Sequence, residues 1–211
     1  MGHTCGKTDA SAFFKIGYGL YIVTSKNDEV DNGMICNTVI QVKSNPAALA
    51  VTINKGSYTH DIAKETGKLN VHVLSVDTPF EVFENFGFHS GRDYNKFEKY
   101  PAIRCENDLP LLMYRFVNAV FQLKCTQYVD LDTHGMFICD VEGAAVFSQA
   151  DTMSYDYYHK NVKPQKEEKG EEKPKGYVCT ICGYVHEGEE LPPDIICPIC
   201  RHGAEAFEKI K

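Results

Sequence analysis

The sequence contains no apolar run approaching the roughly twenty residues that a membrane-spanning helix requires. Its N-terminus lacks the apolar core of a secretory signal peptide, so a cytoplasmic, membrane-free protein is expected. It has no basic stripe: 22 lysines and arginines face 29 acidic residues, and the formal net charge of −7 argues against nucleic acid as a partner. There is no β-α-β rhythm and no G-x-G-x-x-G, which removes a Rossmann dinucleotide domain. With 24% of its 211 residues charged, the chain reads as globular.

Cysteine is plentiful, with nine in the chain. In the tail, Cys179-Thr180-Ile181-Cys182 is answered by Cys197-Pro198-Ile199-Cys200. Two C-x-x-C knuckles at such a separation can fold back on each other and aim four thiolates at one tetrahedral centre, which means iron or zinc. One C-x-x-C arises by chance, whereas a matched pair rarely does. A metal clip is needed in any case, because residues 177–211 cannot bury enough core to fold alone. The other five, Cys5, Cys36, Cys105, Cys125 and Cys139, are an odd remainder scattered along strand-like segments. They fit a reducing compartment, as small buried hydrophobes rather than nucleophiles.

From Lys160 to Gly176 the chain is mostly lysine, glutamate, proline and glycine with Val162 its only aliphatic residue, so it is expected to be a flexible, charged linker. Chain of that length has a typical span of about 20–25 Å. It divides a domain at 1–159 from a second at 177–211. In the first, helix is expected at Ser11–Ile16, Thr59–Thr66 (stopped by Gly67) and Phe80–Phe86 behind Pro79. Strands are expected at Leu20–Thr24, Gly33–Val42, Ala48–Asn54, Leu69–Val73, Phe121–Thr126, Met136–Val141 and Gly143–Phe147. Many short strands with few helices predict a mainly β protein with a closed antiparallel barrel.

Particular stretches say more. Tyr177 before the first knuckle, Gly183-Tyr184-Val185 after it, Pro198 within the second and Phe207-Glu208 beyond it resemble a rubredoxin-like domain, shortened as in rubrerythrins. That resemblance favours iron, one per chain on Cys179, Cys182, Cys197 and Cys200, over the zinc ribbon that remains the alternative. Arg201 departs from the glycine common after the second knuckle. Upstream, Gly33-Met34-Ile35-Cys36-Asn37-Thr38, Asn54-Lys55, Tyr58-Thr59-His60, Ser90-Gly91-Arg92-Asp93 beside Lys96-Phe97, and Thr133-His134-Gly135-Met136-Phe137 resemble the flavin reductase family with its FMN-binding split barrel, close to flavoredoxin. The two together resemble the proteins called high-molecular-weight rubredoxins.

The resemblance implies FMN near a homodimer interface. It assigns Asn37 and Thr38 to the ring. Asn54, Lys55, Tyr58, Thr59, His60 and Ser90 belong to the same contact set, with the helix start at Tyr58-Thr59-His60 as a phosphate seat. Thr59 would double as N-cap. Lys96 and Lys55 match cationic positions, Arg92 either clamps phosphate or pairs with Asp93, His134 lies by the pyrimidine side, and Tyr157 covers the ring. Cys36 adjoins this segment. Tryptophan, frequent beside the family's flavin, is absent, so stacking falls to tyrosine or phenylalanine. The implied function is NAD(P)H-dependent electron transfer through FMN and iron to an acceptor such as a flavodiiron oxygen or nitric oxide reductase. Two alternatives remain: a non-enzymatic carrier reduced by another protein, and a zinc-ribbon binding module on a barrel.

Overall fold

The computed structural model describes residues 10–164, 176–180, 184–197 and 202–210. After a 3-10 helix at Ala10–Lys15, the chain enters β1 (Tyr21–Lys26). It turns at Asn27, whose Oδ1 accepts from the Glu29 and Val30 amides, and returns as β2 (Asp31–Cys36). Then follow β3 (Val39–Ser44), β4 (Ala47–Asn54), helix α1 (Tyr58–Thr66), β5 (Lys68–Leu74) and helix α2 (Phe80–Gly87). The short β6 (Ile103–Arg104) and β7 (Pro110–Leu111) precede a long hairpin, β8 (Val117–Leu131) and β9 (His134–Val146).

Seven of these strands form one antiparallel sheet in the order β2-β1-β5-β8-β9-β4-β3. The two ends of that order, β2 and β3, are consecutive in sequence. The single strand expected over Gly33–Val42 is therefore two, broken at Asn37-Thr38. The physical reason is non-local: β2 is bonded to β1, β3 to β4, and the chain must leave one ladder to join the other. Among the described residues no ladder joins β2 to β3, so the barrel is split there rather than hydrogen-bonded shut.

Adjacent residues of a strand face opposite sides, and β1 feeds two cores accordingly. Val23 enters the cluster inside the barrel with Val51, Ile53, Leu69, Leu123 and Phe137. Ile22 enters an outer cluster with Leu74, Phe83, Phe86, Leu112 and Met153. α2 seals this outer cluster with Val82, Phe83 and Phe86, the one-sided spacing of an amphipathic helix. Full burial of Phe86 contributes about 2–3 kcal/mol. The helical turn at Tyr155–Tyr157 continues through Tyr158–Val162, with Tyr158 against Phe83 at 4.4 Å between ring centroids. Val162 packs on the same cluster, so ordered chain runs into the stretch expected as linker, and residues 165–175 of that stretch lie outside the described residues.

The C-terminal module is a three-stranded sheet, β10 (Gly176–Cys179) between β11 (Val185–Glu187) and β12 (Phe207–Lys209). Its buried cluster is Cys179, Cys197, Ala206 and Phe207.

Candidate functional site

A cavity of 280 Å³ opens between β2, the turn leading into α1, and the end of α2 with the loop that follows. Of the residues expected from sequence, Asn54, Tyr58, Ser90 and Lys96 line it. Helix α1 starts one residue earlier than expected, and its N-cap is Ser57 instead of Thr59. The Ser57 hydroxyl donates to Met34 Sδ at 3.0 Å and makes no capping bond. The His60 amide donates instead to Ser57 O at 3.1 Å, and Ser57 and Tyr58 bring the positive end of the helix dipole to the cavity wall. Gly67, at φ 67°, ends the helix by donating its N–H to Ala63 at 2.9 Å, a left-handed cap that glycine adopts freely.

Thr59 is fully buried, its Oγ1 accepting from Asn32 Nδ2 at 3.1 Å. Asn32 in turn lies against Gly91, where a Cβ would meet its Oδ1 at 2.1 Å. Only glycine at 91 lets this loop close on β2. Lys96 is 4% exposed, and its Nζ donates to the carbonyls of Gly33 at 2.8 Å and Phe86 at 2.9 Å. Burial pulls its pKa from 10.5 to about 8. An ammonium has three donors, so one remains for an occupant of the cavity.

The other expected residues are not cavity lining within this chain. Arg92 sits over the Tyr58 ring, 4.5 Å from its centroid, and pairs with Asp61, not with Asp93. Lys55 is held by Asp130, which raises its pKa, while the lysine holds the Asp130 carboxyl low. His60 is buried between Asp61 and the Tyr128 hydroxyl, at 3.2 and 3.1 Å. His134 opens β9 opposite Asn54, contacts the Thr133 hydroxyl at 2.9 Å, and has a pKa lowered first by burial. Asn37 and Thr38 occupy the crossover between β2 and β3, where the Thr38 hydroxyl donates to Thr52 O at 2.6 Å. Tyr157 lies half-exposed on the helical turn after β9.

Sequence reasoning missed Asn32 and Ser57 as parts of the site. Ser57 carried a usable signal, a serine directly ahead of a helical run. Asn32 carried none, because its role depends on a glycine 59 positions away in the chain.

In the small module Cys179 and Cys197 are each fully buried and share one cluster. The Cys179 amide donates to Tyr184 O at 2.7 Å, and the Cys197 amide donates to His202 O at 2.8 Å. Both knuckles therefore close by the same backbone bond at the same spacing. Cys182 and Cys200 lie outside the described residues. Two buried thiols brought together by matched turns are the donor chemistry of a thiolate-held metal.

A description of the flavin reductase like domain matches residues 13–165, and one of the rubrerythrin, rubredoxin-like domain matches residues 177–208. The chain belongs to the flavin reductase-like family. It carries a rubredoxin-like domain behind that fold. A high molecular weight rubredoxin from Moorella thermoacetica is 35% identical over 192 residues, covering 85% of this chain and 83% of that protein. A ferric-chelate reductase (NAD(P)H) from Archaeoglobus fulgidus is 38% identical over 151 residues, 72% of this chain and 89% of its own. The flavoredoxin structure from Methanosarcina acetivorans shares the fold, with a TM-score of 0.59 and 18% identity over 66% of this chain and 74% of that one. The split barrel and the rubredoxin-like tail expected from sequence are thus both present, a combination that supports flavin and iron as the redox groups. No helix among the described residues is long and apolar enough to cross a membrane.

Proposed function

We propose that this flavin reductase-like chain takes electrons from NAD(P)H onto FMN in the cavity beside α1. They then pass to iron held by Cys179, Cys182, Cys197 and Cys200, and on to an external redox protein such as a flavodiiron reductase. The observation that carries this reading is the fusion itself: one chain joins a flavin reductase-like domain to a rubredoxin-like one, and the Moorella high molecular weight rubredoxin matches 85% of it. A bound flavin accepts a hydride equivalent and releases electrons singly, matching nicotinamide to a one-electron Fe(S-Cys)₄ site.

The chain's own residues would bind and orient. The N-terminal end of α1 at Tyr58, the Ser90 hydroxyl and the spare Lys96 donor would make an anion seat suited to the FMN phosphate. Tyr58 and Asn54 wall the same cavity. Asn37, Thr38, His134 and Tyr157 would complete the site around the ring. Lys55, Thr59, His60 and Arg92 hold α1 and its neighbours in place through Asp130, Asn32, Tyr128 and Asp61. A homodimer belongs to this reading, supported by the edge strand β3, on which Ile40 and Val42 are exposed. The segment from Lys160 to Gly176 would let the iron domain move between flavin and acceptor.

Anaerobic stopped-flow mixing of the full chain with NADH tests the whole sequence. The flavin absorbance should bleach first and the ferric-thiolate colour second. If the flavin stays oxidised, the chain is a carrier reduced by another protein. If the flavin bleaches while iron stays ferric, the two domains do not form a relay. A colourless protein with one zinc per chain would replace the iron reading with a zinc ribbon.

A further inference from the structure

Two of the five cysteines outside the metal knuckles face each other. Cys125 on β8 is registered directly opposite Cys139 on β9, and the ladder breaks just beyond, where Thr126 bulges out. The Cys125 amide donates to Gly67 O at 2.7 Å, away from β9. That direction makes Cys125 and Cys139 a non-hydrogen-bonded pair, the narrow kind with Cα atoms about 4.5 Å apart and side chains on one face. A disulfide accepts Cα separations of about 4.4–6.8 Å.

The pair is asymmetric in access. Cys139 is 0% exposed within the inner cluster, and Cys125 packs against it from outside. Cys125 also borders a 310 Å³ cleft between the end of α1 and the hairpin, bounded by Thr66, Gly67, Gln127 and Tyr128. Its thiol donates to Gln127 O at 3.3 Å.

We propose that Cys125 and Cys139 are a peroxide-sensitive dithiol, with Cys125 the attacking and Cys139 the resolving sulfur. Burial pushes both thiols up, Cys139 further, so Cys125 is the sulfur of the pair that ionises first. The Cys125 thiolate attacks one oxygen of a hydroperoxide; the O–O bond breaks, the alcohol or water departs, and a sulfenic acid is left. The Cys139 sulfur then displaces that hydroxyl as water and forms the S–S bond. Two thiols and one hydroperoxide give one disulfide, one alcohol and one water: the sulfurs lose two electrons and the peroxide gains them. The product links β8 to β9 beside the Tyr128 that hydrogen-bonds His60 of α1. Nothing in this step depends on the flavin or the metal.

Treating the full-length protein with hydrogen peroxide, alkylating under denaturing conditions and digesting with trypsin tests it. Cleavage after Lys124 and Lys160 places Cys125 and Cys139 in one peptide with no other cysteine. The expected product is that peptide lighter by two hydrogens and carrying no alkyl group, with both labels restored after reduction by a dithiol. Cys36, buried elsewhere in the inner cluster, should stay fully labelled only after unfolding. In Cys139→Ala, Cys125 should stop at a sulfenic acid that a carbon nucleophile traps. Full labelling of both cysteines after peroxide, or Cys125 over-oxidised with Cys139 still labelled in the unsubstituted chain, would overturn the proposal. The wild-type peptide alone decides it should the variant not fold.

Discussion

Lys96 Nζ donates to the backbone carbonyl of Gly33 at 2.8 Å, tying the loop after α2 to strand β2 across the candidate flavin cavity. A lysine buried to this degree titrates near 8, below its ordinary 10.5, because desolvation penalises the ammonium. Binding a phosphate dianion stabilises the charged form and raises that pKa again. Affinity for FMN should therefore be flat below pH 8 and weaken above it, with the dissociation constant rising by up to about tenfold per pH unit. Titrating apoprotein with FMN between pH 6.5 and 9.5 by fluorescence quenching measures this. Lys96→Met should bind weakly at every pH and lose the dependence; an unchanged profile would take Lys96 out of the anion seat.

Gly91→Ala puts a methyl group 2.1 Å from Asn32 Oδ1. Asn32 is buried and donates to the equally buried Thr59 hydroxyl, so turning it aside into the cavity it lines breaks that bond. The expected cost is about 1–3 kcal/mol from overpacking and a strained buried hydrogen bond. The measurable outcome is a lower thermal midpoint together with reduced flavin retention on gel filtration. Asn32→Ala in the Gly91→Ala background should recover part of the stability by removing the clash.

These two positions show which parts of the molecule were legible in the sequence. Period-two alternation located β5, and glycine at 67 with helical spacing located α1 to within a residue, because both signals are local. The knuckle spacing announced the metal module for the same reason. Gly33–Val42 looked like one strand because nothing within it records that its halves bond to opposite ends of the sheet. Lys55 read as a cation for the cofactor and Arg92 as a phosphate clamp or a partner of Asp93, since the carboxylates they do meet, Asp130 and Asp61, lie 75 and 31 positions away. Lys96 gave no hint of burial, because its partners are backbone carbonyls that any sequence supplies.

His72 offers a stability test independent of cofactors. It is 0% exposed, its Nδ1 donating to Ile22 O and its Nε2 accepting from the Leu112 amide, each at 3.1 Å. Burial lowers its pKa from 6.5 to about 4. Since the unfolded chain takes up this proton first, the contribution of His72 is complete above pH 6.5 and is lost as pH falls towards 4. The loss amounts to about 3 kcal/mol over that window. Urea unfolding at pH 7, 5.5 and 4 should show the decline. His72→Gln should begin about 1–3 kcal/mol less stable and show a shallower slope across the same window. Equal slopes in both proteins would mean that His72 is not the titrating group.

The C-terminal module makes the sharpest demand on its metal. Its described core is two thiols, Ala206 and Phe207. Burial of one aromatic ring contributes about 2–3 kcal/mol, whereas ordering a residue costs about 1–2 kcal/mol, so this core cannot hold three strands unaided. Thiolate metal sites in comparable modules supply about 10–16 kcal/mol. Cys197→Ser should therefore unfold the module without touching the barrel, which has clusters of its own. Limited trypsin digestion should release the tail of the variant rapidly while a fragment spanning residues 13–165 persists, and calorimetry should retain the barrel's transition unshifted. A tail that stays protease-resistant in the metal-free variant would show that the strands, not the metal, hold it together.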